Sequence, residues 1–195
     1  MIKWLEKILV FNIYSLCLKY FKQFRIRYLR YKFKDNSDIH CSLVLDRNSD
    51  ITFGSNRAFL RIEENVYFRK HCNIYMYKEG KLTIRKNIFF NNYCSISCLG
   101  EIEIGEGTIF GEGVKLYDHN HDYVFNTNGL NVMRDDFKIG KIKVGSNCWI
   151  GSNVIILNNV EIGDNVIVGA NCLVYKSIPP NTIVKAQTAL LFHDR

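Results

Sequence analysis

The sequence predicts an all-β chain wound into a solenoid of short parallel strands, with a basic helical arm ahead of it. Three observations predict it. Aliphatic residues recur every six positions at Val144, Ile150, Ile156, Ile162, Val168 and Val174. The neighbouring columns agree: Gly145, Gly151, Gly163 and Gly169 lie one residue on, Asn147, Asn153, Asn159, Asn165 and Asn171 three on, and Cys148, Val154, Val160, Val166 and Cys172 four on. The same column runs upstream in triplets, Ile62–Phe68–Ile74, Ile84–Phe90–Ile96 and Ile104–Phe110–Leu116, with extra residues always entering after the third member.

A six-residue period fits neither the 3.6 of a helix nor the 2 of a simple strand. It fits a short strand followed by a turn, three such sides closing one triangular coil. The aliphatic residue points inward. Gly and Asn are expected at corners with positive φ, because Gly lacks Cβ and Asn can satisfy its local backbone. The residue four on must be small or β-branched to fit inside. That column accounts for Cys72, Cys94, Cys148 and Cys172 as packing residues, since a free thiol behaves as a small hydrophobe. Seven cysteines, an odd count with no CxxC pair, read as reduced thiols rather than a disulfide framework or a structural zinc site. No secretory signal is evident, because Lys19-Tyr20-Phe21-Lys22 stands where a cleavage site would follow the apolar run.

The arm differs from everything after it. The chain carries a formal charge of +7, yet residues 1–34 hold nine Lys/Arg against Glu6 alone. Ile2, Leu5, Leu9, Ile13, Leu16 and Tyr20 step by three or four, as in a helix. The uncharged run between Lys7 and Lys19 is too short for the ~20 residues that span a bilayer. Two readings follow. Either the helix lies on a membrane surface, with Trp4, Tyr14, Tyr20, Phe21 and Phe24 at the interface, or its apolar face packs on the solenoid end or on a trimer partner. No nucleic-acid motif accompanies the charge. The expected layout is a basic amphipathic arm over 1–36, a solenoid over 37–185 with the repeat pattern readable from about residue 50, a loop over 117–143, and a tail over 186–195.

The largest insertion lies between Leu116 and Val144 and opens with Tyr-Asp-His-Asn-His-Asp-Tyr, which holds His119 and His121. Rigid scaffolds commonly carry function on such loops.

At this point the repeats in "IGSNVI" and "IGDNVIVGANCLV", together with "HDY", "NCWIGSNVII", "VYKSIPPN" and Asn91 in "NIFFNN", resemble the hexapeptide-repeat acyltransferases. Within them the sequence is similar to the maltose/galactoside acetyltransferase-like group, which includes sugar O-acetyltransferases of capsule and exopolysaccharide pathways. The resemblance implies a left-handed parallel β-helix and a homotrimer with sites between neighbouring chains. It implies acetyl-CoA as donor, a sugar hydroxyl as acceptor, no metal, and a loop histidine as general base. Seven residues after Val114 stands His121, which takes the base role, with His119 as second choice. Asp118 and Asp122 flank them as groups that orient the ring or meet the acceptor, although a backbone carbonyl could orient it equally well. Trp149 matches a tryptophan that walls the site, or else is an outward aromatic at the trimer seam. Asn91 matches an asparagine that contacts substrate, or else is a corner Asn. The backbone N–H groups near Gly151-Ser152 match an oxyanion donor, and Lys176 a base that meets the coenzyme phosphates.

Two stretches depart from the pattern. A Gly-x-Pro-Ala-Lys/Arg ending is replaced by "KAQTALLFHDR", and the acids expected before the third side are replaced by "SISCLG", with Glu101 nearby. These put the grip on the coenzyme's nucleotide end and the acceptor's identity in question. The expected activity is acetyl-CoA-dependent O-acetylation of a sugar, free or lipid-linked, in surface-polysaccharide synthesis. The expected location is the cytoplasm or the inner face of its membrane. The alternatives are N-acetylation of an amino sugar, a zinc β-helix enzyme using His71, His119 and His121, or a non-catalytic scaffold.

Overall fold

Every inward column residue predicted from the repeat is buried, from Ile62 to Val174. In the computed structural model, which describes residues 20–186 apart from residue 22, the chain winds into about six turns of a parallel β-solenoid. Three sheets form its faces. Along the first, Ser37, Leu60, Leu82, Ile102, Ile142 and Val160 lie in register, coil upon coil. The long gap between Ile102 and Ile142 holds the large insertion. Strands of the second face are two residues each, such as Phe89–Phe90 and Trp149–Ile150. In the early coils the extra corner residues lengthen the third-face strands to four, as in Asn73–Met76 and Ser95–Cys98.

Inside the second face Phe68, Phe90 and Phe110 stack with centroids 4.2 and 4.5 Å apart. The small-residue column also behaves as the period requires. The Cys72, Cys94 and Cys148 thiols donate to carbonyls of the following coil, Asn91 (3.0 Å), Gly111 (3.2 Å) and Gly163 (3.2 Å).

Three features differ from the sequence expectation. The solenoid begins at Ser37, within the expected 37–185, but the repeat was readable only from about residue 50, and Ile39, Leu45 and Ile51 are buried in that first coil at the same spacing. Its signal was weak because His40, Ser42 and Leu43 stand where Gly, Asn and a small residue mark later coils. The corner asparagines Asn147, Asn153, Asn159, Asn165 and Asn171 do take positive φ, but Gly145, Gly151, Gly163 and Gly169 do not appear among the positive-φ residues. Glycine is required there by proximity. A Cβ on Gly151 would lie 2.5 Å from the Ala170 nitrogen of the next coil. The third difference is that the insertion is paired strand, described below.

The asparagine column carries a prediction. Asn153 has φ +57°. It donates its N–H to Glu112 O at 2.7 Å, and its amide to Asn171 Oδ1 at 3.3 Å. Asn153→Ala should cost about 1 kcal/mol, since Ala gains nothing in the left-handed region, and Asn153→Gly should cost less. Urea denaturation of the two variants measures the difference, and equal midpoints would remove φ as the cause.

At the amino end residues 20, 21 and 23–32 are helical. Ile26 and Leu29 enter the same buried cluster as the solenoid core, and Phe33 meets Phe53 at 4.4 Å between ring centroids. Arg25 donates to Ser49 O and reaches Asp50 at 3.4 Å. The helix therefore closes the open end of the first coil through Ile26 and Leu29, whereas Tyr20, the one described member of the apolar stripe read from the sequence, is 63% exposed. The arm's first nineteen residues, with Trp4 and Tyr14, and the tail from residue 187 lie outside the described residues.

Candidate active site

The insertion leaves the corner between the third and first faces as a β-hairpin. His119–Asn126 pairs antiparallel with Gly129–Ile139, with a bulge between His121 and Tyr123. Asn126 Oδ1 accepts the Asn128 N–H at 2.9 Å, and Gly129 takes φ +106°, so Asn-Thr-Asn-Gly makes the turn. The sequence reading of a loop missed this, although the turn residues and the apolar Tyr123–Phe125 run beside them were a usable signal.

Asp118 roots the hairpin. Its carboxylate is fully buried. It accepts Leu99 N–H at 3.0 and 3.1 Å and Gly100 N–H at 2.8 Å. Its Oδ1 lies 3.0 Å from His119 Nδ1, and its backbone carbonyl accepts Gly140 N–H at 2.7 Å. One residue thus ties the preceding coil, the outgoing strand and the returning strand together. Burial, then the charge of Asp118, pushes the neighbouring Cys98 thiol well up, which keeps it protonated and unreactive.

The two histidines are oriented differently. His119 is largely covered, with its side chain 16% exposed, and faces Asp118. His121 is exposed, and its Nδ1 lies 3.1 Å from Met133 O across the hairpin. A carbonyl can only accept, so in the neutral ring this contact selects the tautomer with the proton on Nδ1 and the lone pair on Nε2. Of the orienting groups left open by the sequence, the backbone carbonyl serves His121, and Asp118 serves His119. Asp122 instead pairs with Lys138 at 3.0 Å, which lowers its pKa. Both imidazoles pack on Phe137, with centroids 5.3 and 4.6 Å away. Lys78 Nζ sits over the same ring at 5.2 Å and donates to Asp135 O at 3.0 Å. Phe137, Met133 and Lys78 were not found from the sequence. Their parts depend on hairpin register, which the six-residue period does not encode.

The other candidates sit elsewhere in the single chain. Trp149 points outward from the second face, 58% exposed. Asn91 lies at the corner between the second and third faces. Its Oδ1 accepts from Arg69 at 3.3 Å and from the Asn92 N–H at 2.8 Å. Gly151 and Ser152 share that corner on a later coil, but the Gly151 N–H is already donated to Val168 O at 2.7 Å. Parallel stacking consumes that amide, leaving Ser152 as the donor candidate of the pair. Lys176 is exposed beside Tyr175, 5.5 Å from the ring centroid, at the hairpin's corner two coils on. His71, at another corner, stacks on Tyr93 at 4.9 Å. Among the described residues no three His, Cys, Asp or Glu side chains form a metal-ligand set.

The family model of bacterial transferase hexapeptide (six repeats) matches residues 141–176. No curated protein matches the chain. Among solved structures, the polysialic-acid-specific acetyltransferase NeuO is similar at 18% identity and TM-score 0.63, over 74% of this chain and 65% of that one. A hexapeptide-repeat acetyltransferase from Vibrio cholerae O1 biovar eltor, complexed with acetyl coenzyme A, is similar at 22% identity and TM-score 0.55, over 64% and 65%. The N-acyltransferase AntD from Bacillus cereus, in complex with dTDP and 3-hydroxybutyryl-CoA, is similar at 21% identity and TM-score 0.62, over 82% and 83%. The chain spans about two thirds of the length of the first two, at 65% each. At these identities the likeness is one of fold.

Proposed function

We propose that this chain is an acyltransferase that moves an acetyl group from acetyl-CoA to a sugar hydroxyl in surface-polysaccharide synthesis, with His121 as general base. The observation that carries the reading is the exposed His121 ring, held in one tautomer by Met133 O on a hairpin rooted in the solenoid. The hexapeptide transferase repeat over 141–176 and the acyltransferases of like fold support it.

An unactivated hydroxyl is a poor nucleophile near neutral pH, and a positioned imidazole contributes about 10²–10⁴ in rate. His121 Nε2 takes the hydroxyl proton as the oxygen bonds to the acyl carbon, then returns it to the departing sulfur. A fixed N–H must meet the carbonyl oxygen as it gains charge, and Ser152 is the candidate. Lys176 is a candidate for the coenzyme phosphates. We propose the cytoplasm, where an acyl-CoA donor would be met, as the place of the reaction.

A trimer completes the reading. Tyr67, Phe89, Ile109, Trp149, Ile167 and Ile183 form one outward column, coil over coil, on the second face. Val124, Phe125, Leu130 and Val132 are exposed on the hairpin. Contiguous apolar surface of this kind marks a protein interface, and a neighbouring chain there would bring Trp149 and Ser152 of one copy toward the hairpin of another. Purified protein should release CoA thiol from acetyl-CoA with a sugar or oligosaccharide acceptor and sediment as three copies. Turnover restricted to amino groups would instead select the N-acyl reading that AntD's likeness offers. A monomer that neither binds acetyl-CoA nor turns over with any acceptor sinks the proposal.

A further inference from the structure

We infer that the amino-terminal helix docks the protein on an anionic phospholipid surface, through the helix face opposite the one that packs on the solenoid. Ile26, Leu29 and Phe33 fix the inward direction. At about 100° per residue, Tyr20, Phe24, Arg27 and Tyr31 share the opposite face, with Phe21 and Tyr28 beside them. Their exposure agrees: Phe24 is 69% and Tyr31 77% accessible. A helix that needed only to cap the first coil would carry polar residues there. This one carries five exposed aromatics over twelve residues.

The charge identifies the occupant. From Tyr20 to Lys34 the sequence contains no Asp or Glu, and Arg27, Arg30, Lys32 and Lys34 are exposed. Arg27, Arg30, Tyr31 and Lys34 line a recess of about 350 Å³ at one flank, where guanidinium groups can fork onto phosphate oxygens; the carboxylate in that lining, Asp38, lies 3.4 Å from Arg61. At the other flank a larger hollow of about 590 Å³ is walled by Phe21, Phe24, Tyr28, Phe33 and Phe53. Aromatic rings at headgroup depth with basic residues beside them are the composition of an interfacial helix. A second copy of the chain would meet the same excess of positive charge, duplex nucleic acid would leave the aromatic stripe without a counterpart, and a single strand, whose bases could stack on that stripe, is an outcome of the test below. The inference stands apart from the acyl-transfer reading, since it concerns a different end of the solenoid and its test needs no turnover.

The test is co-sedimentation of the full chain with vesicles of phosphatidylcholine alone and of phosphatidylcholine mixed with phosphatidylglycerol. The chain is expected in the pellet with the anionic vesicles only, less so as salt is raised. Phe24→Ser/Tyr28→Ser/Tyr31→Ser and, separately, Arg27→Gln/Arg30→Gln should each weaken partitioning on the order of tenfold or more. All five positions are exposed, so both variants should keep the wild-type thermal transition. The charge variant keeps every apolar contact and serves as control if the aromatic variant misfolds. Wild type that stays in the supernatant at low salt overturns the inference. So does binding that neither variant changes, lipid-independent self-association that the aromatic variant abolishes, or a single-stranded or duplex oligonucleotide binding more tightly than the vesicles.

Discussion

His121→Ala should lower the rate of CoA thiol release with a sugar acceptor by about two to four orders of magnitude, the contribution of a positioned general base. The loss should fall on kcat, because the ring acts on a proton that moves only in the reaction. The variant should stay folded. His121 is exposed, and its ring is held by Met133 O and the face of Phe137 rather than by the core. That exposure separates it from His119, whose ring lies against the buried Asp118. His119→Ala should therefore act through the hairpin's position, weakening stability along with activity. The reverse pattern, a nearly active His121→Ala beside a well-folded and dead His119→Ala, would transfer the base to the Asp118–His119 pair. Asp122→Asn should change little in either measurement. Its carboxylate is occupied by Lys138 at the hairpin surface, and solvent screens that pair.

The contrast between the two histidines also marks where the sequence stops being informative. The solenoid was legible because its rule is local: one inward side chain every six residues and one left-handed corner between them. Ile62 and Val174 obey that rule at opposite ends of the pattern. It faded at the first coil, where Ser42 and Leu43 replace the marker residues although Ile39, Leu45 and Ile51 pack identically. It misassigned the reason for Gly151, because the approach of Ala170 is a contact between coils. The identities of His119 and His121 were readable, but their partners were not. Asp118 meets its backbone partners nineteen and eighteen residues upstream, and Met133 reaches His121 only through the strand pairing of the hairpin. The membrane and packing readings of the arm competed in the sequence because one helix carries both an apolar and an aromatic–basic face. Burial assigns Ile26 and Leu29 to packing and leaves Phe24 and Tyr31 outside.

The second large effect falls on Asp118→Ala, with an expected cost of about 3–5 kcal/mol. The substitution removes the acceptor for two backbone N–H groups, those of buried Leu99 and half-buried Gly100, and the partner of His119. Each buried donor left unpaired costs about 1–3 kcal/mol. Space is also short, since a Cβ on Gly100 would sit 2.4 Å from Gly140 O and 3.6 Å from Asp118 Oδ2. Asp118→Asn preserves the volume, yet it offers one acceptor oxygen and turns an NH2 group toward donors that need an acceptor. It should recover part of the loss and not all of it. The damage should begin at the hairpin, because Asp118 joins both hairpin strands to the coil before them. Limited proteolysis should then cut between 120 and 138 in the variant under conditions where the wild type is intact, before the solenoid unfolds in urea. Activity should fall together with that cleavage susceptibility, through a displaced His121. A stability change within about 0.5 kcal/mol, the range of an ordinary surface substitution, together with an uncut hairpin, would show that the corner holds without its carboxylate.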